Sequence, residues 1–176
     1  MKIVAFAGSN SKSSINKRLA VYAAGLFKQA EIQILDLNDY ELPLFGVDIE
    51  KELGKPPIAR AFLDKLQQAD VIVLSLAEHN GTFSAAFKNI YDWASRQEKL
   101  VFAEKPMLLM ATSPGKRGGA GVLECAGISL PRYGANIRET FSLPSFNDNF
   151  DLDKGRISNP ELDAQLRECV ARMEVF

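Results

Sequence analysis

Residues 1–19, MKIVAFAGSNSKSSINKRL, decide the fold of this 176-residue chain. The nearly unbroken apolar run at residues 3–7 is typical of a strand that is buried on both faces of a parallel sheet. Gly8 ends the run, and a polar turn follows it. From Leu19 onward, apolar residues recur at helical spacing, so the pattern predicts a strand, a short turn and a helix.

The turn between this strand and this helix is rich in side chains that donate hydrogen bonds. Four serines and two asparagines lie between positions 9 and 16. The free N–H groups and the dipole of a helix start favour an anion at such a place. Neither the glycine fingerprint of dinucleotide-binding folds nor the Walker lysine is present. Two interpretations remain, a phosphate cradle or a simple helix cap by Ser13 or Ser14, and a simple cap needs only one of these side chains.

Strand and helix patterns alternate along the rest of the chain. Further strands are predicted at 31–37, 70–76, 105–111 and 135–141, and helices at 14–29, 57–68, 84–96, 120–133 and 160–173. Residues 38–57 and 142–159 are predicted to be irregular; the first segment either lines a site or an interface, or is a plain surface loop. We therefore predict an α/β, flavodoxin-like three-layer sandwich, in which residues 1–176 form one domain around a five-stranded parallel sheet of order 2-1-3-4-5.

Three polar turns fall at the carboxyl ends of neighbouring strands in that order. They are residues 9–16, 77–83 and 112–119, after the first, third and fourth strands. Ligands of such folds bind beyond the carboxyl ends of the strands, near the switch between strands 1 and 3. Glycines in the second and third turns allow a flat ring to approach the main chain. A phosphate and a planar heterocycle together describe a mononucleotide, and the fold favours FMN.

Composition and charge exclude several classes of function. Net charge is −1 with scattered basic residues, so nucleic acid binding has no support. No apolar run approaches the ~18 residues of a membrane span, and no signal peptide is evident. The isolated Cys125 and Cys169 indicate reduced thiols in a cytoplasmic protein. The sequence contains no cluster of metal ligands and no serine-hydrolase motif, so we predict no metal site and no hydrolase, and for a flavin enzyme, whose cofactor carries the chemistry, we predict no catalytic side chain.

Several spaced motifs resemble those of the NAD(P)H-dependent FMN reductases, a group that includes quinone, chromate and azo-dye reductases. In chain order they are Gly8-Ser9 with Ser14, Asn16 and Leu19-Ala20, then Leu42-Pro43-Leu44-Phe45, then Glu78-His79-Asn80-Gly81 with Lys88-Asn89 and Asp92-Trp93, and finally Thr112-Ser113-Pro114-Gly115 with Gly118-Gly119. The resemblance covers roughly residues 1–140. Within it, we interpret Trp93 as a core or interface residue.

The resemblance implies that the first turn binds the phosphate of FMN and that the other two turns flank the isoalloxazine ring. The implied cofactor-binding residues are Ser9, Ser11, Ser14, Ile15 and Asn16 at the phosphate, Glu78, His79, Asn80 and Gly81 beside the ring, and Ser113 and Gly115 on its other side. It also implies hydride transfer from NAD(P)H through flavin to a small acceptor such as a quinone, free flavin, an azo compound or a metal oxyanion, in a homodimer or homotetramer. The alternative is an FMN-binding electron carrier or redox sensor that does not itself oxidise NAD(P)H.

Four positions depart from the family pattern. Ser11 stands where the family has an arginine, His79 replaces a tyrosine, and Ala77 and Ser84 replace prolines. Without the arginine, one charge-assisted phosphate contact is absent, and Lys12 is the adjacent cation that can replace it. These departures concern FMN affinity and acceptor preference rather than the fold.

Overall fold

The computed structural model describes residues 1–174. In chain order the strands are β1 Lys2–Gly8, β2 Glu31–Leu35, β3 Val71–Leu76, β4 Glu78–His79, β5 Thr82–Phe83, β6 Pro106–Thr112, β7 Asn136–Leu143, β8 Phe150–Asp151 and β9 Arg156–Ile157. The α-helices are α1 Ile15–Ala24, α2 Val47–Leu53, α3 Pro57–Gln67, α4 Ala85–Ser95, α5 Ala120–Ser129, α6 Phe146–Asn149 and α7 Pro160–Met173, and 3₁₀ turns cover Leu37–Tyr40 and Leu130–Tyr133.

Five strands form the central sheet in the order β2-β1-β3-β6-β7, with every neighbouring pair parallel. The predicted order 2-1-3-4-5 is therefore confirmed. The register aligns the carboxyl ends, because Gly8 pairs with Leu76, Leu76 with Ala111, and Ala111 with Ser142. The turns that follow β1, β3 and β6 consequently leave the sheet side by side.

Each face of the sheet carries its own hydrophobic core. Val4 and Phe6 of β1 point into the core that contains α3 and α4, whereas Ile3 and Ala5 point into the core that contains α1 and α7. Successive strand residues face opposite sides. Since both sides are covered, residues 3–7 must all be apolar, which explains the unbroken run at the start of the sequence.

The structure corrects several predicted boundaries. Helix α1 ends at Ala24 rather than at 29, because Gly25 is its C-cap, and β2 ends at Leu35 rather than at 37. The segment 38–57, predicted to be irregular, holds a 3₁₀ turn and α2, a helix that has no buried residue and in which only Ile49 packs partly against the core. The predicted helix at 120–133 is divided into α5 and a 3₁₀ turn, since Pro131 lacks the N–H that would continue an α-helix.

The C-terminal third differs from the prediction in one further place. Strand β7 continues to Leu143, and the supposedly irregular segment after it contains α6 and the hairpin of β8 and β9. Helix α7 spans Pro160–Met173 as predicted, with the side chain of Asn159 capping its first turn. Among residues 1–174, no helix has the length and apolarity that a membrane crossing requires.

Candidate active site at the carboxyl edge of the sheet

A cavity of about 300 Å³ lies where the three polar turns leave the sheet. Its lining combines all three turns: Ser9, Ser11, Ser13, Ser14, Ile15, Asn16, Ala77, Glu78, His79, Thr112, Ser113 and Pro114. Three of the predicted cofactor-binding residues are outside this lining: Asn80 and Gly81 lie further along the second turn, and Gly115 lies further along the third. The fold thus brings together residues that are more than a hundred positions apart in the chain.

The first turn ends in a capped helix start. The Ser14 side chain accepts a hydrogen bond from the Lys17 N–H at 3.1 Å, so the capping interpretation holds for this serine. The cap uses the oxygen of Ser14 and leaves its O–H able to donate. Ile15 and Asn16 open α1, and their N–H groups have no acceptor within the helix. These donors, the helix dipole and the hydroxyls of Ser9 and Ser11 fit a phosphate group.

The cation inside α1 has a separate role. The Lys17 ammonium pairs with Asp36, at the end of β2, and this hydrogen bond holds the pKa of the Asp36 carboxyl below its usual value. Lys17 therefore contributes an ion pair that holds α1 against the end of β2. Lys12, by contrast, is exposed within the turn, consistent with replacing the family arginine.

Asn16 has structural contacts that the sequence did not reveal. Its side chain is 3% exposed, and its Nδ2 donates to the Thr112 carbonyl at 3.1 Å. Its Oδ1 accepts from the Thr112 N–H at 3.0 Å and from the Ser75 hydroxyl at 2.7 Å. The side chain thereby joins the start of α1 to the ends of β3 and β6. What Asn16 offers toward a phosphate is its N–H rather than its amide side chain.

The second turn is a tight β-hairpin. Strands β4 and β5 pair antiparallel around Asn80 and Gly81, which have φ of 51° and 80°. Positive φ at both positions is typical of the two-residue hairpin turn that Asn-Gly favours. His79 is exposed on β4, and Glu78 beside it is half-buried. The sequence signal for this hairpin was present in Asn80-Gly81, although the prediction was only a polar turn.

Glu78 connects the second turn to the third. Its Oε2 accepts a hydrogen bond from the Val122 N–H at 2.9 Å, within the first turn of α5. A carboxylate is favourable at a helix N-terminus because it complements both the free N–H groups and the dipole. A Cβ on Gly121 would lie 3.0 Å from the same carboxylate oxygen, so this glycine allows the close approach.

The third turn is held from the side of β7. The Ser145 N–H donates to the Gly115 carbonyl at 2.9 Å, and the Phe146 N–H donates to the Ser113 carbonyl at 3.0 Å. The Ser142 hydroxyl donates to the Gly118 carbonyl at 2.9 Å. Gly118 and Gly119 both have positive φ. The backbone of residues 113–119 is consequently well fixed beside the cavity.

The remaining motif residues shape the surroundings of the site. Asn89 accepts from the Phe45 N–H at 2.8 Å and donates to the carbonyls of Leu42 and Pro43, and the Trp93 indole N–H also donates to Pro43, at 2.8 Å. Trp93 is fully buried, which agrees with its interpretation as a core residue. These bonds hold residues 42–45 against α4, at the wall of a neighbouring cavity of about 550 Å³.

Ser84, one of the four departures, gains a function from its hydroxyl. Its Oγ accepts from the Phe87 N–H at 3.1 Å as the cap of α4. The same hydroxyl donates to the Gly8 carbonyl at 2.7 Å, so it ties the start of α4 to the end of β1. Ser75 and Ser84 support the site and were not among the predicted site residues, and Thr112 was named only as part of the third turn. A lone serine in the apolar stretch of β3 was the available signal for Ser75.

A parallel sheet whose carboxyl edge joins a capped helix start, a tight hairpin and a glycine-rich turn defines a flavodoxin-like mononucleotide-binding protein. Within residues 1–174, no group of three or more His, Cys, Asp or Glu side chains could hold a metal ion. Residues 1–148 match the family described as NADPH-dependent FMN reductase, and the chain belongs to this family. Family membership confirms the predicted class, an FMN-dependent NAD(P)H oxidoreductase.

Similar proteins include two plant enzymes. The NADPH:quinone oxidoreductase of Arabidopsis thaliana is 30% identical over 184 residues, which cover 100% of this chain and 91% of the relative. The probable NADPH:quinone oxidoreductase 1 of Oryza sativa is 31% identical over 182 residues, covering 98% and 88% of the two chains.

Solved structures share the fold. The flavoenzyme FerB, an NAD(P)H:acceptor oxidoreductase of Paracoccus denitrificans, superposes with a TM-score of 0.73 at 21% identity and covers 97% of this chain and 93% of its own. An FMN-dependent NADH-azoreductase of Bacillus anthracis, solved in complex with FMN, superposes with a TM-score of 0.64 at 13% identity, covering 98% and 99% of the two chains. The predicted fold class is thereby confirmed.

Proposed function

We propose that residues 1–176 form a single FMN-binding domain that oxidises NAD(P)H and reduces a small acceptor, with quinones as the first candidates. The observation that carries the proposal is the convergence of the three turns on one cavity beside the start of α1. Membership of the FMN reductase family and the similarity to plant quinone oxidoreductases support it. Both also favour a reductase over an electron carrier or redox sensor.

The protein's own residues bind and orient rather than exchange protons. The N–H groups of Ile15 and Asn16 and the hydroxyls of Ser9, Ser11 and Ser14 are proposed to bind the phosphate of FMN. The backbone of residues 78–81 and of residues 113–115 is proposed to flank the ring. Bound FMN supplies hydride transfer between the nicotinamide and the acceptor. The hydrogen bonds of the Glu78 carboxylate to Val122 and of the Asn16 side chain to Ser75 and Thr112 hold the three turns in one arrangement.

The experiment that tests this function begins with the visible spectrum of the purified protein. We expect it to bind FMN at least about tenfold more tightly than riboflavin, since one charge-assisted hydrogen bond to the phosphate contributes about 1.5–3 kcal/mol. Anaerobic addition of NADPH or NADH is expected to bleach the flavin, and a quinone to restore its colour. A flavin that dithionite reduces and neither nicotinamide reduces would instead establish the electron-carrier alternative. Equal affinity for FMN and riboflavin would contradict the phosphate site.

We further propose that the chain forms a homodimer or homotetramer in the cytoplasm. The two free cysteines support a reducing compartment. Exposed apolar side chains support assembly: Leu44 and Val47 near α2 are 78% and 61% exposed, and Ile128 on α5 is 64% exposed. Light scattering is expected to give a multiple of the 19.4 kDa chain mass, and Ile128→Asp to lower it. A single species of 19.4 kDa across micromolar concentrations would refute the assembly.

A further inference from the structure

Two adjacent cations, Lys116 and Arg117, lie at the tip of the glycine-rich turn. Both are exposed, and neither side chain forms an ion pair or a hydrogen bond with any residue from 1 to 174. Two other cations near the sheet edge already have ion-pair partners: Lys17 pairs with Asp36 and Lys88 with Asp92. The turn thus carries two positive charges that the fold itself does not use.

The backbone beneath these cations is fixed. The Ala120 N–H donates to the Arg117 carbonyl at 3.0 Å, and the Gly118 N–H donates to the Gly115 carbonyl at 3.2 Å. The Gly115 carbonyl also accepts from Ser145, which anchors the turn to the segment after β7. Because the backbone is already fixed, only the two flexible side chains lose conformational entropy when a charged ligand binds.

The turn borders the proposed flavin cavity through Ser113 and Pro114. The nearby carboxylate, Glu78, is bonded to the start of α5 and lies on the hairpin rather than on this turn. The phosphate of FMN already has its donors at α1, on the first turn. The unpaired charges of the third turn therefore suit a second anionic group, carried by a molecule that enters the same cavity.

We propose that Lys116 and Arg117 form a subsite for the 2′-phosphate of NADPH and so set the preference for NADPH over NADH. This inference rests on the proposed function, because it concerns the nicotinamide substrate of the same site. The 2′-phosphate is the group by which the two nicotinamides differ, and it is a phosphate monoester with a dianionic form. An arginine binds such a group with two parallel N–H donors, and a lysine adds a compact point charge.

The test compares two adenosine nucleotides on the FMN-loaded protein by calorimetry. Wild type is expected to bind adenosine 2′,5′-bisphosphate at least about tenfold more tightly than 5′-AMP, because a hydrogen bond between charged groups is worth about one decade or more in affinity. In Lys116→Ala/Arg117→Ala this difference is expected to disappear, and the ratio of kcat/KM for NADPH over NADH to fall by a similar factor. The matched control, Lys55→Ala/Lys99→Ala, removes two exposed charges that lie outside the three turns and is expected to keep both the nucleotide discrimination and the kcat/KM ratio.

Two results would overturn the subsite. One is discrimination between the two nucleotides that survives in Lys116→Ala/Arg117→Ala. The other is loss of this discrimination in Lys12→Ala/Arg18→Ala. That result would place the 2′-phosphate in the cavity of about 330 Å³ that Lys12 and Arg18 line, on the other side of the first turn. The binding assay needs no turnover, so absence of NAD(P)H oxidation in wild type would refute the proposed function separately.

Discussion

Replacement of Asn16 by alanine is expected to destabilise the protein by about 3–5 kcal/mol and to weaken the binding of FMN and riboflavin alike. The substitution removes the Asn16 partner of three buried groups, namely the N–H and carbonyl of Thr112 and the hydroxyl of Ser75. Each buried polar group that loses its partner costs about 1–3 kcal/mol. Since the side chain joins α1 to β3 and β6, its loss also frees the first turn to move relative to the third.

Urea denaturation and fluorescence titration with each flavin measure the two effects separately. Ser14→Ala is the matched comparison at the same helix start. It removes a cap worth about 1 kcal/mol and a proposed phosphate donor, so it is expected to weaken FMN and leave riboflavin unchanged. Ser75→Ala removes one of the three bonds and is expected to cost less than Asn16→Ala. If Asn16→Ala kept full stability and weakened FMN alone, its side chain would be a phosphate ligand rather than a clamp.

The sequence predicted that Asn16 belongs to the site but not which residues it contacts. The apolar stretches of β1 and β3 predicted buried parallel strands, and strand order followed from their alternation with helices. The predicted strand order then placed the three turns at one edge of the sheet. The motif indicated that Asn16 belongs to the site, but its partners lie 59 and 96 positions away. A contact of that separation depends on the finished sheet, so a local pattern cannot reveal it.

Elements without a buried face were the other source of error. Helix α2 has no buried residue and only Ile49 packs partly against the core, so hydrophobic periodicity was weak between positions 47 and 53. Glu78 was predicted as a cofactor-binding residue beside the ring, and the bond of its carboxylate to Val122, which the prediction did not include, is formed because α5 begins next to the hairpin. The Glu78 bond depends on packing between segments that are distant in the chain, whereas α2 has too few packed side chains to give a pattern.

Gly118→Ala is the other substitution with a large expected effect, about 2–5 kcal/mol of lost stability. Gly118 has φ of +56°, and a left-handed conformation costs a residue with a Cβ about 1–2 kcal/mol. The added Cβ would overlap the Ser142 Oγ and would lie 2.9 Å from the Pro144 backbone nitrogen, and such overpacking costs about 1–3 kcal/mol. Because the turn borders the proposed ring site, FMN affinity is expected to fall at least about tenfold, by the loss of 1.4 kcal/mol or more.

Two further variants separate steric overlap from backbone conformation at this turn. In Gly118→Ala/Ser142→Ala the closest clash is gone, and the hydrogen bond from Ser142 to the Gly118 carbonyl, which the clash already disturbs in the single variant, is gone with it. The double variant is therefore expected to be more stable than the single one, while the φ cost and the contact with Pro144 remain. Gly25→Ala is the control, since Gly25 is already in the right-handed helical region with its nearest neighbours at 3.5 Å, and alanine there is expected to be neutral or to stabilise by about 0.4–1 kcal/mol. Thermal unfolding with and without FMN measures all three variants. The turn is held in part by the hydrogen bond from Ser142 to the Gly118 carbonyl. Equal stability of Gly118→Ala and wild type would mean that the turn rearranges freely in spite of this bond. The glycine-rich segment would then have no fixed geometry to impose on a flavin.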